Sequence, residues 1–357
     1  MLRMPNDIDF DETVAAMKSL LKTSARMYMH LAKATIERFG RDGEMTVRYG
    51  LRAYGVWRGT EMREAHHALG LDINMKNLIG CWDNASVYIA KDQLASGGDF
   101  KDYDTRFDVS YCPAAEAWKE ADFHQWGHVY CDEFHQACAS AYHPDGNVVI
   151  PQNMMKGDDH CHFRWVMPPS AEKLQLDEPS ELGRKLASDY VAASDLEAAW
   201  LSLKRSNRLM GGRFYTAASV LLDRHGAEGL EVLRQALRNW GMERGRRLRG
   251  DFDAAGIAPT IENFVRRHDL PISLTWETRM VEEAPARCVI EIGETPHEEA
   301  WADIGGLEVG RYWYEDAYPA MVEAFDPRAR ARWIALRPDG ETVSRLELDF
   351  SHVRMPD

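Results

Sequence analysis

The sequence predicts an α+β fold occurring twice in tandem, each unit running N-terminal helices, antiparallel strands, a helix and a closing β-hairpin. Three observations predict it. Residues 37 to 59, ERFGRDGEMTVRYGLRAYGVWRG, match residues 223 to 245, DRHGAEGLEVLRQALRNWGMERG, without a gap at an offset of 186, with nine of twenty-three positions identical. After a three-residue deletion the offset becomes 183, so that CPAAEAW from Cys112 faces TPHEEAW from Thr295, Gly127 faces Gly310 and Gly157 faces Gly340. Within each copy, apolar residues recur first at helical and then at strand spacing. A repeat this long implies two homologous domains, since solenoid repeats run about 20 to 50 residues.

The elements follow in order. SLLKTSARMYMHLAKATIERFG and TVRYGLRAYGVWRGTEMREAHHALG place Leu, Met and Ala three and four residues apart, and Gly40, Gly70, Gly226 and Gly256 stand where helices should stop. His66 and His67 fall near the polar end of that text and read as a solvated face, and Gly97-Gly98 reads as a loop. TRFDVSYC then predicts a strand, 114 to 142 a helix, and NVVIPQNMM-KGDD-HCHFRWVM a hairpin. The second copy repeats the order with SLTWETRMVEE and ARCVIEIG, a helix over 298 to 325, and a hairpin around Pro338-Asp339-Gly340. Residues 169 to 185 are polar and proline-bearing. They read as a linker between a first domain, 1 to 168, and a second, 186 to 357, whose lead-in helix covers 186 to 210.

Composition narrows the function. The 357 residues carry 43 Lys and Arg against 57 Asp and Glu, a net charge of −14, which argues against a nucleic-acid partner. The acidic N-terminus, MLRMPNDIDFDE, lacks a signal-peptide pattern, and no apolar run reaches membrane-spanning length, so the expectation is a cytoplasmic protein with no membrane partner. Six cysteines without a CxxC pair are too few for a disulfide framework, and five of them (81, 112, 131, 138 and 161) lie in the first copy. A small molecule is the expected partner.

The duplication acts as an internal control: what both copies keep serves the fold, and what one copy keeps is a candidate for chemistry. His124, His128, Cys131, His135 and Cys138 fall within an arc of roughly 80° on one helix. Their counterparts are Leu307, Arg311, Tyr314, Tyr318 and Met321, so the stripe is expected to face inward. On the closing strand, Cys161 should share the inner face with Phe163, Trp165 and Met167, while His160 and His162 point the other way. The expected site is therefore Cys131, His128 and His135 opposite Cys161, with Asp132 at the edge and Cys112 at the helix entrance.

Cys112-Pro113 with AEAW, Tyr130-Cys131-Asp132 within one helix, and Gly157-Asp158-Asp159-His160-Cys161-His162-Phe163 in the hairpin resemble the L-2-amino-thiazoline-4-carboxylic acid hydrolase family. The resemblance spans roughly residues 20 to 167, and the second copy shares only the helices and the Trp301 segment. It implies hydrolysis of a C–N bond in a small cyclic amidine or imide-like compound.

Three readings of the thiols stay open. Free cysteine is often buried filler, the reading favoured for Cys81, Cys138 and Cys288. A thiolate beside an imidazole could attack an amidine carbon, with histidine shuttling the proton and Asp132 orienting it. His124, His128, Cys131, His135 and Cys161 could instead hold zinc or another divalent transition metal, although no cofactor is required by the pattern. A different class of function is a sensor-type domain that binds a small molecule or metal without turnover. The second copy is then expected to be a scaffold, standing in for the partner subunit of an internal pseudo-dimer, and further homo-oligomerisation stays open.

Overall fold

The computed structural model describes residues 4–5, 8–83, 98–170, 174, 176–270, 272–284 and 286–353. Gly97 and part of the expected linker lie outside them. The first unit consists of α1 (Phe10–Ala68), α2 (Met75–Gly80), β1 (Asp99–Phe100), β2 (Asp104–Val109), α3 (Pro113–Glu120), α4 (His124–Tyr142), β3 (Asn147–Gln152) and β4 (Cys161–Val166). After α5 (Glu181–Ser188), the second unit repeats the pattern with α6 (Asp195–Ala255), α7 (Ile261–Arg266), α8 (Ile272–Thr275), β5 (Thr278–Ala284), β6 (Arg287–Ile292), α9 (Pro296–Ile304), broken helix over 310–325, β7 (Arg330–Ala335) and β8 (Ser344–Asp349). Two separate antiparallel sheets result, ordered β1-β2-β4-β3 and β5-β6-β8-β7. The α+β duplication holds down to register, since Val109 faces Cys161 where Ile292 faces Ser344.

Three features kept in both copies explain the architecture. Gly40 and Gly226 take φ of 58° and 53°, so each long helix bends at a residue without a Cβ to strain. Gly55 and Gly59 lie so close to α4 that a Cβ would collide with the carbonyl oxygens of Phe134 and Cys138, and Gly241 and Gly245 lie equally close to those of Ala317 and Met321. Buried Arg58 clasps Asp83, with Nε to Oδ2 at 2.8 Å, as Arg244 clasps Asp269 with bonds of 2.8 and 2.7 Å. Removing either partner of such a pair would leave an uncompensated buried charge.

The two units share their packing. α1 lies along α6, and Met17, Leu20, Met27 and Leu31 enter the same apolar cluster as Phe214, Trp240 and Trp313. Phe39 stacks on His225 with centroids 3.7 Å apart, and His30 Nε2 meets Glu243 at 2.6 Å.

Several boundaries differ from expectation. The helix expected over 114 to 142 is two, because Asp122 adopts φ 52° and breaks it. The one expected over 298 to 325 ends at Ile304, then resumes through a widened turn at Trp313–Ala317, where Pro319 has no N–H to give and crowds the preceding turn. SLTWETRMVEE begins in α8, and its strand starts at Thr278. The segment read as a linker contains the start of α5, and the expected lead-in helix begins at Asp195. His66 is no solvated residue. It is fully buried, with Nδ1 2.8 Å from the Tyr142 hydroxyl and Nε2 2.9 Å from the Cys81 carbonyl. His67 meets the Asp177 carbonyl at 2.6 Å.

Candidate functional site

The site lies where α3, α4 and the β3–β4 hairpin of the first unit converge. Cys112 is the N-cap residue of α3, whose first position is Pro113, with φ preset for a helix. α4 carries Cys131, and β4 presents Cys161, Phe163 and Trp165 inward as the alternation predicts, with Met167 buried just past its end. Between the strands a turn at Met154–Lys156 brings in Asn153, a residue the sequence reading missed. Asn153 is buried. Its backbone N–H donates to Asp158 Oδ2 at 2.6 Å, and its Oδ1 accepts from the Met155 N–H at 2.9 Å.

Cys112, Cys131 and Cys161 are close enough to act on one another's ionisation, and Asn153 joins them. Cys161 Sγ accepts the Met154 N–H at 3.4 Å and lies 4.0 Å from Asn153 Oδ1. Asn153 Nδ2 is buried without a well-formed hydrogen bond, and the group it acts on is the Cys131 sulfur. Burial pushes Cys161 up to about 11 and Cys131 well above the usual thiol value; Cys112, Cys161 and Asp132 raise Cys131 further, while Asn153 opposes the rise. Cys112 is raised by burial as well, against the pull of the Ala115 and Ala114 N–H groups and the Arg213 charge. These thiols rest protonated.

The histidines do not act as one stripe. His124 is exposed, because α4 enters at the surface and descends into the core toward Cys138, which is fully buried. Half-exposed His128 meets Asp132 Oδ2 through Nδ1 at 3.0 Å, and Lys156 Nζ holds the other carboxylate oxygen at 2.9 Å. Burial works to raise Asp132, but the bonds from Lys156 and His128 outweigh it and hold the carboxyl below its ordinary value. His135 turns Nδ1 to the Cys131 carbonyl at 3.0 Å among the rings of Phe134, Phe163 and Trp165, and burial lowers it to about 4, so the ring is neutral. On the outer face His162 meets Asp108 at 2.5 Å, and the Asp159 carboxylate beside His160 raises that imidazole.

Among the described residues, no three His, Cys, Asp or Glu side chains are arranged to hold a metal ion. His124 stands at the surface, and His128 and His135 each use Nδ1 on Asp132 or a carbonyl, which leaves Nε2 open. The five expected ligands are not gathered into one cluster among the described residues.

In the second copy the same place is filled. Thr295, Tyr314, Ser344 and Leu336 stand where the first has Cys112, Cys131, Cys161 and Asn153. Tyr314 donates its hydroxyl hydrogen to buried Glu298 at 3.0 Å, and Arg337 Nη1 comes within 3.2 Å of the other oxygen. Ser344 Oγ accepts the Arg337 N–H at 3.0 Å, as Cys161 accepts that of Met154.

A second difference lies behind the thiols. Tyr28, Tyr54 and Tyr130 of the first copy correspond to Phe214, Trp240 and Trp313, so three hydroxyls occur in one core and none at these positions in the other. Aligning the copies position by position would have found them, because each pair is aromatic on both sides.

Residues 21–165 match the family model described as L-2-amino-thiazoline-4-carboxylic acid hydrolase, the family the three motifs resemble. The match covers the thiol-bearing first copy and ends before the second. No curated protein and no solved structure matches the chain significantly.

Proposed function

We propose that the first copy is a hydrolase opening a C–N bond in a small cyclic amidine of the thiazoline-carboxylate type, with Cys131 as nucleophile. The observation that carries this reading is the convergence of Cys112 and Cys161 on Cys131, with Asn153 beside Cys131 and Cys161, at a place where the second copy has Thr295, Tyr314, Ser344 and Leu336. The family match supplies the reaction class. Because burial keeps the thiol protonated, its proton must leave as the sulfur attacks. His128, oriented through Nδ1 by Asp132, offers Nε2 for that proton. As the S–C bond forms, the proton passes to the imidazole; as the ring C–N bond breaks, the imidazolium returns it to the leaving nitrogen. Water then adds to the enzyme-bound thioimidate, releases the ring-opened product and restores the thiol. Asn153 Nδ2 supports the sulfur while it carries charge.

A second reading, binding without turnover, draws on the protonated thiols and on imidazoles hydrogen-bonded to Asp132 and a carbonyl rather than to sulfur. One experiment separates them. Incubation with L-2-amino-thiazoline-4-carboxylate is expected to yield ring-opened product, and iodoacetamide to stop turnover with one alkylated thiol per chain. Recovery of unchanged compound after prolonged incubation would sink the hydrolase reading and favour binding.

A further inference from the structure

The reaction above uses one sulfur of the three. Cys112 and Cys161 take no proton in it and attack nothing, and the fold does not require sulfur at either position. In the second copy Thr295 Oγ accepts the Glu298 N–H at 3.2 Å at the start of α9, and Ser344 Oγ accepts the Arg337 N–H at 3.0 Å. Oxygen serves the frame there. Sulfur at these positions in the first copy points to chemistry that an alcohol lacks, and joining to another sulfur is such chemistry.

Separate elements bring the thiols together. Val109, at the end of β2, pairs with Cys161, and the chain reaches Cys112 three residues later at the cap of α3. α4 approaches α3 and the Met154–Lys156 turn so closely at Gly127 that a Cβ there would lie 2.6 Å from Met155 Cε and 3.1 Å from Trp118 Cε3. Cys131 follows Gly127 by one helical turn. Cys112 and Cys131 both pack against the apolar cluster that contains Cys161. The three are not equivalent. Cys161 is buried, receives the Met154 N–H, and shares Asn153 with Cys131, Oδ1 on the Cys161 side and Nδ2 on the Cys131 side. Cys112 and Cys131 are each part-exposed, and of the charged or ionisable groups nearby Cys112 acts most strongly on Cys131.

We propose that Cys112 and Cys131 form a reversible disulfide under hydrogen peroxide, which withdraws the nucleophile and returns it on reduction. Peroxide oxidises Cys131 to the sulfenic acid and releases one water. The Cys112 sulfur then attacks the sulfenic sulfur, and the hydroxyl departs with the Cys112 proton as a second water. Each sulfur gives up one electron, and the peroxide takes both. A dithiol reverses the step by exchange and becomes the disulfide itself. Both thiols rest protonated and the thiolate is the reactive form, so the pair answers sustained rather than trace peroxide. Cys112 also stops Cys131 short of the sulfinic acid, which small thiols do not reduce. That the disulfide silences turnover rests on the hydrolase reading above; its formation does not.

The test exposes the full chain to hydrogen peroxide, blocks the remaining thiols with N-ethylmaleimide, and maps linked peptides by mass spectrometry without reduction. Cleavage after Glu133 separates Cys131 from Cys138. Wild type is expected to yield a Cys112–Cys131 peptide pair and to lose turnover, and dithiothreitol to restore both thiols and most of the turnover. Cys112→Thr, which installs the counterpart residue, should yield no disulfide at Cys131, a Cys131 sulfinic acid in its place, and little recovery with dithiothreitol. Cys161→Ser should keep the Cys112–Cys131 pair. No disulfide at Cys131 in wild type, Cys131 joined to Cys161 instead, a disulfide that leaves turnover intact, or recovery as complete in Cys112→Thr as in wild type would overturn the proposal. A Cys112–Cys131 disulfide in a protein that never opens L-2-amino-thiazoline-4-carboxylate would leave the reversible pair standing and reject only the hydrolase reading.

Discussion

The surroundings of Cys131 and the equivalent surroundings of Tyr314 share a backbone and differ in the side chains that occupy it. Both hold a hairpin turn by the same hydrogen bond, to Cys161 Sγ in one and Ser344 Oγ in the other. Both dock a tryptophan through its indole N–H, Trp118 to the Ala25 carbonyl at 2.9 Å and Trp301 to that of Gly211 at 3.0 Å. Around these fixed points the first copy keeps protonated thiols and an amide nitrogen with no well-formed bond, whereas the second joins a phenol, a carboxyl and a guanidinium. The difference teaches that one backbone frame holds either a thiol cluster or a buried phenol, carboxyl and guanidinium. The filled copy then displays what the frame alone requires.

The largest expected effect tests whether the two halves are separable. Residues 1 to 175 alone should not form a stable monomer, because Met17, Leu20, Met27 and Leu31 are buried in a cluster built mainly from the second copy. Analytical ultracentrifugation should find aggregation or self-association. A folded, active monomer would break the comparison by showing that the second pocket supports nothing in the first.

Next come the thiols. Cys131→Ser should lower turnover by about a hundredfold or more, since an alcohol is a far weaker nucleophile at neutral pH. Cys161→Ser should preserve the fold, because Ser344 makes the same contact in the second copy. Cys288→Ser should be silent. If Cys131→Ser kept near-normal turnover, the thiol-centred site would be wrong.

A smaller, pH-dependent effect distinguishes the second pocket. Burial raises Glu298 to about 7, against Arg337 and a hydrogen bond from Tyr314. The folded protein therefore holds this proton over a range where the unfolded chain has released it. The stabilisation is complete below the unfolded value of about 4.5 and is lost as pH rises toward 7. Glu298→Gln should remove that loss, making its stability relative to wild type better at pH 8 than at pH 4 by an amount on the order of 2 kcal/mol. Denaturant unfolding at the two pH values measures it; no pH dependence in the difference would mean the carboxyl titrates in the fold as it does in the unfolded chain.

The duplication, the two sheets and the inward face of Cys161 were legible in the sequence because period-2 alternation and an aligned repeat survive without coordinates. Asn153 was not, since an amide in a turn carries no periodic signal and its importance comes from the sulfurs beside it. His124, His128 and His135 misled in a different way. Helical spacing put them on one arc, but α4 passes from surface to core, so equal angles met unequal surroundings. Arg213 was invisible because its partners belong to the other copy, 83 positions away at Tyr130.

The finest comparison concerns a buried polar pair the second copy has made apolar. His66 and Tyr142, joined at 2.8 Å, correspond to Phe252 and Phe325, whose rings meet edge-on with centroids 5.0 Å apart. Burial lowers His66 to about 4. An unfolded imidazole takes its proton near pH 6.5, so the folded state loses stability as pH falls from about 6.5 toward 4. His66→Phe alone strands the Tyr142 hydroxyl and the Cys81 carbonyl, and should cost about 1 to 3 kcal/mol at pH 7.5. Adding Tyr142→Phe removes one of those orphans and recreates the Phe252–Phe325 contact. The double variant should therefore recover part of the loss and show a shallower acid decline than wild type. A double-mutant cycle of unfolding free energies at pH 7.5 and 5 reads both quantities. Strict additivity would mean that the two side chains do not act as a pair, and that the two copies arrived at their cores independently.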